Sequence, residues 1–168
     1  VSTVDNASGT LRLESNWPLS SGTTIKGGTI TTKDGVVLNG NGVTLDGVTV
    51  NGEIVSGQYL TVQHGLTLNG TLRVGGENSS GGVVFQGTQT LGGAGVVIFG
   101  ASGGDGNILL LAGEKPVLTI GAGITVRGQN GCITNYVRFI GEAQVASVIN
   151  EGTISADVAG GEICICNG

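Results

Sequence analysis

Apolar and polar residues alternate with period two in short runs along most of this chain, and the runs stop at Gly, often with Asp or Asn beside it. In TLDGVTVNG (44–52), Leu45, Val48 and Val50 form an apolar set, while Thr44 and Thr49 stand on the other side. Alternate side chains of an extended strand point to opposite faces, so the pattern predicts short strands with an apolar inner face and a Thr-rich outer face. Val, Ile and Thr favour this backbone, and the tight stops suit Asx and Gly. One segment, Glu142–Ile149, also reads as a turn or two of helix.

The phrase recurs. TIKGGTI begins at Thr24, TLDGVTV at Thr44, TLNGTL at Thr67 and TIGAGITV at Thr119, with INEGTI at Ile149 a looser copy. Short strands could also build a sandwich. Recurrence of both phrase and turn favours an all-β parallel β-solenoid instead, with a loose repeat of about twenty-odd residues. Seven or eight such coils would make a rod about 35–40 Å long. The segment 1–22, with Trp17 and Pro18, departs from the repeat and is expected to be an N-terminal cap or edge; 23–168 is the expected solenoid.

Composition narrows the class. Of 168 residues 34 are Gly and only two are Pro, without a three-residue period, so collagen is excluded. A hydrophobic content of 39% argues against a disordered linker. With seven Lys and Arg and a net charge of −5, the chain lacks the basic surface that nucleic acid requires. No apolar run approaches a membrane span. The chain begins at Val1 and contains no Met, the expectation being a mature or excised segment of a longer precursor.

GGVVFQGTQTLGGAGVVIFG (81–100), LTIGAGITVRGQNG (118–131) and VINEGTISADVAGG (148–161) resemble repeats of large secreted bacterial surface proteins of the filamentous-haemagglutinin or autotransporter-passenger type. The resemblance spans about Thr24 to Ile163. It implies a right-handed parallel β-helix, an extracellular setting, and use in adhesion or fibre formation; it carries no catalytic residues.

Candidate sites follow from residue type. Asp46, Asn69 and Asn150 are expected at turns, stacked into side-chain ladders. Thr24, Thr44, Thr67 and Thr119 occupy like positions in the phrase and suggest an outward Thr column, the kind of array an ice-binding solenoid would present. The acidic residues Asp34, Asp46, Asp105 and Asp157 are scattered, which argues against paired-carboxylate hydrolysis, and His64, the single His, has no evident partner as a base. KDG from Lys33 and GGDGN from Gly103 are weak calcium candidates that match no calcium-loop pattern. No other cofactor is expected.

Three cysteines remain. Cys164 and Cys166 alternate with Ile163 and Ile165, so both thiols face outward if the isoleucines face the core. Same-strand neighbours are poorly placed to bond each other, so a bridge from Cys132 to one of them is expected, alongside the alternative of reduced cysteines. A leftover thiol would suit an intermolecular bond. Asn6, Asn69 and Asn78 open N-glycosylation acceptor patterns.

The function expected is non-enzymatic: a structural or adhesive element of a surface protein or fibre, secreted, associating end to end or with neighbouring domains. The alternatives are a carbohydrate-binding or carbohydrate-acting β-helix, with surface glycans as partners, and an ice-binding solenoid.

Overall fold

The computed structural model describes residues 2–17, 19–102, 106–135 and 145–166, with the side chain of Cys166 excluded. In chain order, β1 (Ser2–Asp5) and β2 (Thr10–Leu13) come first, followed by β3 (Thr23–Lys26), β4 (Thr29–Thr32) and β5 (Val37–Asn39). Then come the long β6 (Thr44–Asn51) with β7 (Glu53–Ser56), and the longer β8 (Tyr59–Leu68) with β9 (Thr71–Val74). β10 (Gly81–Gln86), β11 (Gln89–Gly93) and β12 (Val96–Phe99) form the next group, then β13 (Asn107–Ala112), β14 (Val117–Ile120) and β15 (Thr125–Gly128). β16 (Asn130–Thr134), β17 (Ser147–Asn150), β18 (Thr153–Ala156) and β19 (Glu162–Cys166) end the described chain. Every element among the described residues is a strand. Of the segment Glu142–Ile149, residues 142–144 lie outside the described residues, and Ser147 to Ile149 belong to β17.

All of these strands pair in parallel, each with the strand reached on the chain's next return. One stack runs β1-β3-β6-β8-β10-β13-β16-β19. A second, β2-β4-β6-β8-β11-β14-β17, shares β6 and β8 with the first, and β5-β7-β9-β12-β15-β18 forms a separate sheet. The result is a solenoid-like arrangement in which three stacks surround one core.

β6 and β8 belong to two stacks because each bends partway. Asp46 pairs with Gln63 and Val48 with Leu66, so Gly47 stands opposite both His64 and Gly65. The extra residue is a β-bulge, which turns the strand without ending it. Gly47 and Gly65 take φ of 63° and 89° there.

Core residues line up in columns down the stacks. One is Leu38, Ile54, Leu72, Val97, Val126 and Ile154; another is Ile25, Leu45, Val62, Phe85 and Leu111. Most are fully buried in a continuous cluster, and each such side chain contributes about 1.5–3 kcal/mol. Leu45, Val48 and Val50 are core as their alternation predicts, with Thr44 and Thr49 half-buried on the outside. β13 departs from alternation: outward Ile108 and Leu110 are also buried.

The segment 2–13 continues the stacking rather than lying across it. Thr3 pairs with Thr24 and Thr10 with Thr29, and Trp17 makes a single parallel bridge to Leu38 while remaining 43% exposed.

Candidate functional site

The corners hold most of the side-chain hydrogen bonding. Asn69 Nδ2 donates to Asn51 Oδ1 at 2.9 Å, and Asn69 Oδ1 accepts from the Ala94 backbone N–H at 3.2 Å, linking three successive passes of the chain. Asn41 joins two passes through its Oδ1, which accepts from Gly57 N–H at 2.8 Å and Gln58 N–H at 3.0 Å. Asn69 thus bonds through its side chain to the passes on either side. Asn150 is not at a turn of this kind: it is the last residue of β17, in register with Ile120, and ends the core column Val48, Leu66, Leu91, Ile120 with an exposed polar side chain.

Asp46 sits within β6 rather than at a strand end, and its carboxylate meets His64 Nδ1. The partner that sequence spacing withheld from His64 is supplied by the bulge. His64 itself adopts φ of 54°, a backbone region that non-glycine residues rarely occupy, and its ring is largely exposed.

The four threonines of the recurring phrase do not form one column. Thr24 stacks with Thr44 and Thr61; Thr67 stacks with Thr49, Thr29 and Thr10; Thr119 stacks with Thr90. The reason is that the phrase occurs at two different corners of each circuit, so equal words are not equal positions. The columns are also interrupted, the first by Val84 and the second by Gly92.

Among the described residues no three His, Cys, Asp or Glu side chains gather as a metal-holding group. Asp34 and Asp157 lie far apart in the fold's order, on the β4–β5 turn and after β18, while Asp105 and most of GGDGN fall outside the described residues.

A depression lies along the outside of the third sheet. It encloses about 350 Å³ and spans successive strands, with Arg73, Ile98 and Arg127 in register on its floor and walls. Arg73 Nε donates to Glu53 Oε1, and Arg127 Nη1 donates to Asp157 Oδ2 at 2.9 Å. Asp157 Oδ1 also accepts from the Gly128 N–H at 3.2 Å. The hydrogen bond and charge of Arg127 hold the Asp157 carboxyl below its ordinary value.

Comparison with protein-family models, with curated proteins and with solved structures found no match. The site's chemistry is therefore read from its own residues.

Cys132 and Cys164 are register partners on β16 and β19, with Cα atoms 4.6 Å apart, and are joined by a disulfide. The bond points to an oxidising, extracellular environment. No helix among the described residues is long and apolar enough to cross a membrane. Cys166 stands in register with Thr134.

The acceptor asparagines differ sharply. Asn6 is buried, and its Nδ2 donates to Thr29 O at 3.2 Å and to Gly27 O at 3.5 Å, so the nitrogen that would carry a glycan is enclosed in a corner. This removes Asn6 as an acceptor in the folded chain. Asn69 is exposed but engaged in its ladder, and Asn78 is exposed.

Sequence reading missed Arg73 and Arg127, as well as the fully buried Asn107. Only the alternation in TLRV and TVRG, which places each Arg outward on a strand, signalled the first two.

Proposed function

We propose that the chain is a non-enzymatic structural or adhesive element of a secreted surface protein or extracellular fibre, built as a right-handed parallel β-helix of seven or eight coils. In this reading it resembles the repeats of filamentous-haemagglutinin-type and autotransporter-passenger proteins, and it associates end to end with a second copy or with a neighbouring domain.

One observation carries the reading. At the β17–β19 end the core columns are cut open: inward-facing Val148, Ile154 and Ile163 are only partly buried and Ile165 is 50% exposed. These strands have no partner on their outer side among the described residues. Unpaired edges backed by apolar columns are templates for further strands. The outer faces, in contrast, carry Thr, Asn, Gln and few charges, a surface suited to contact over length.

The test is sedimentation at rising protein concentration, with and without reductant, together with electron microscopy. Rods lengthening in multiples of one unit are expected. A monomer at every concentration in both conditions would refute end-to-end association.

A further inference from the structure

We propose that the groove over Arg73, Ile98 and Arg127 binds a neutral oligosaccharide lying along the axis of the stack. The two arginines occupy one outward column with Ile98 between them, which separates them by two strand spacings, roughly 10 Å. Each guanidinium is held in place by a carboxylate, Glu53 for Arg73 and Asp157 for Arg127, and each carries further N–H donors. Side chains already ordered in this way lose less entropy on binding.

Charge decides the ligand class. Glu77 also lines the groove, so with Glu53 and Asp157 three carboxylates stand near two guanidiniums. An anion would find no net positive field here. A hydroxyl group, being both donor and acceptor, can use the guanidinium N–H groups and the carboxylate oxygens together. Between these polar ends lies Ile98, and the 42% exposed Val158 lines the groove beyond Arg127, together an aliphatic surface for the C–H face of a sugar ring.

The shape sets the ligand's length. Gly76 and Gly100 stack at the edge of the groove so closely that a Cβ on Gly100 would stand 2.6 Å from the Gly76 carbonyl oxygen. Without side chains at these positions the depression stays open along the axis over three successive strands. A ring of an extended β-1,4-linked chain advances by about 5 Å, close to one strand spacing, so alternate rings of a linear chain meet Arg73 and Arg127. Phe99, the aromatic residue of the lining, is turned into the core and offers no stacking platform. Weak binding follows, with a dissociation constant of about 1 mM.

The experiment is NMR titration of the whole chain with cellohexaose, xylohexaose and mannohexaose, and separately with hexagalacturonate. For at least one neutral hexamer, the Nε–H signals of Arg73 and Arg127 and the amides of Gly76, Gly100 and Gly128 should shift and saturate. Replacing both arginines (R73A with R127A) should weaken binding about tenfold. I98E, which removes the aliphatic floor and sets a carboxylate between the two arginines, should abolish it, so the test survives if the double variant fails to fold. The proposal is overturned if no neutral hexamer shifts these signals, if hexagalacturonate alone does so, or if I98E binds as well as the parent.

Discussion

Asn107 has no exposed surface, and its amide is fully used. The two N–H groups of its Nδ2 are shared among Asn130 O at 2.9 Å and Gly100 O and Ser102 O at 3.1 Å, while its Oδ1 accepts from Gly81 N–H at 3.2 Å. Truncation to Ala takes a donor from three part-buried carbonyls, of which Gly100 O keeps the Asn130 N–H, so Asn107→Ala should cost about 2 kcal/mol in urea unfolding. Asn41→Ala, at a half-buried corner, should cost about 1 kcal/mol or less. In the sequence both residues are merely Asn near Gly, since composition marks a corner without saying which side chain turns inward. Asp157 gives a second residue-scale expectation. Its folded pKa is depressed, chiefly by the Arg127 hydrogen bond, so the contribution of this pair is present above the ordinary value of 3.8 and is lost as pH falls through the lowered one. Arg127→Ala should move the carboxyl's NMR titration midpoint back up; an unmoved midpoint would refute the assignment.

Strands and corners were legible to different degrees. Alternation located the strands because burial on one side imposes it directly: Val48 and Val50 follow it, and Leu45 joins the same core because the bend at Gly47 resets the alternation. Register was not legible, because each circuit uses the phrase apolar–polar–Gly at two corners with the same needs: TLDG at 44–47 stacks with TVQHG at 61–65, whereas TLNG at 67–70 stacks with TVNG at 49–52. The extra His64 that makes the bulge belongs to no repeated word. Glycines at corners divide by what surrounds them. A Cβ on Gly70 would stand 1.9 Å from the Gly52 carbonyl oxygen, whereas one on Gly35 meets nothing within 4 Å and suffers only from φ of +76°. Gly70→Ala should therefore cost about 3 kcal/mol or more, and Gly35→Ala about 1 kcal/mol. A Gly70→Ala loss no larger than that of Gly35→Ala in paired thermal melts would show that close stacking does not set the use of Gly at position 70.

At the scale of the molecule, a stack of parallel strands is held by contacts between neighbours, so damage at one end need not reach the other. The Cys132–Cys164 disulfide gives this a test, since it joins β19 only to the strand beneath it. Spacing alone pointed to a bridge from Cys132; the choice of Cys164 required the register that sets the two residues side by side. Closing a loop with a sequence separation of 32 contributes roughly 3–4 kcal/mol. Because β19 is an edge strand with Ile165 half exposed, that contribution should fall mainly on the last strands. In the variant with both Cys132→Ser and Cys164→Ser, hydrogen exchange at Ile163 and Ile165 should accelerate strongly, while the amides of Leu45, Val62 and Leu68 keep their protection. Reductant added to the parent protein should reproduce the same local pattern. A uniform loss of protection from β3 to β19 would instead mean that the molecule unfolds as one cooperative unit and that the bridge stabilises all of it.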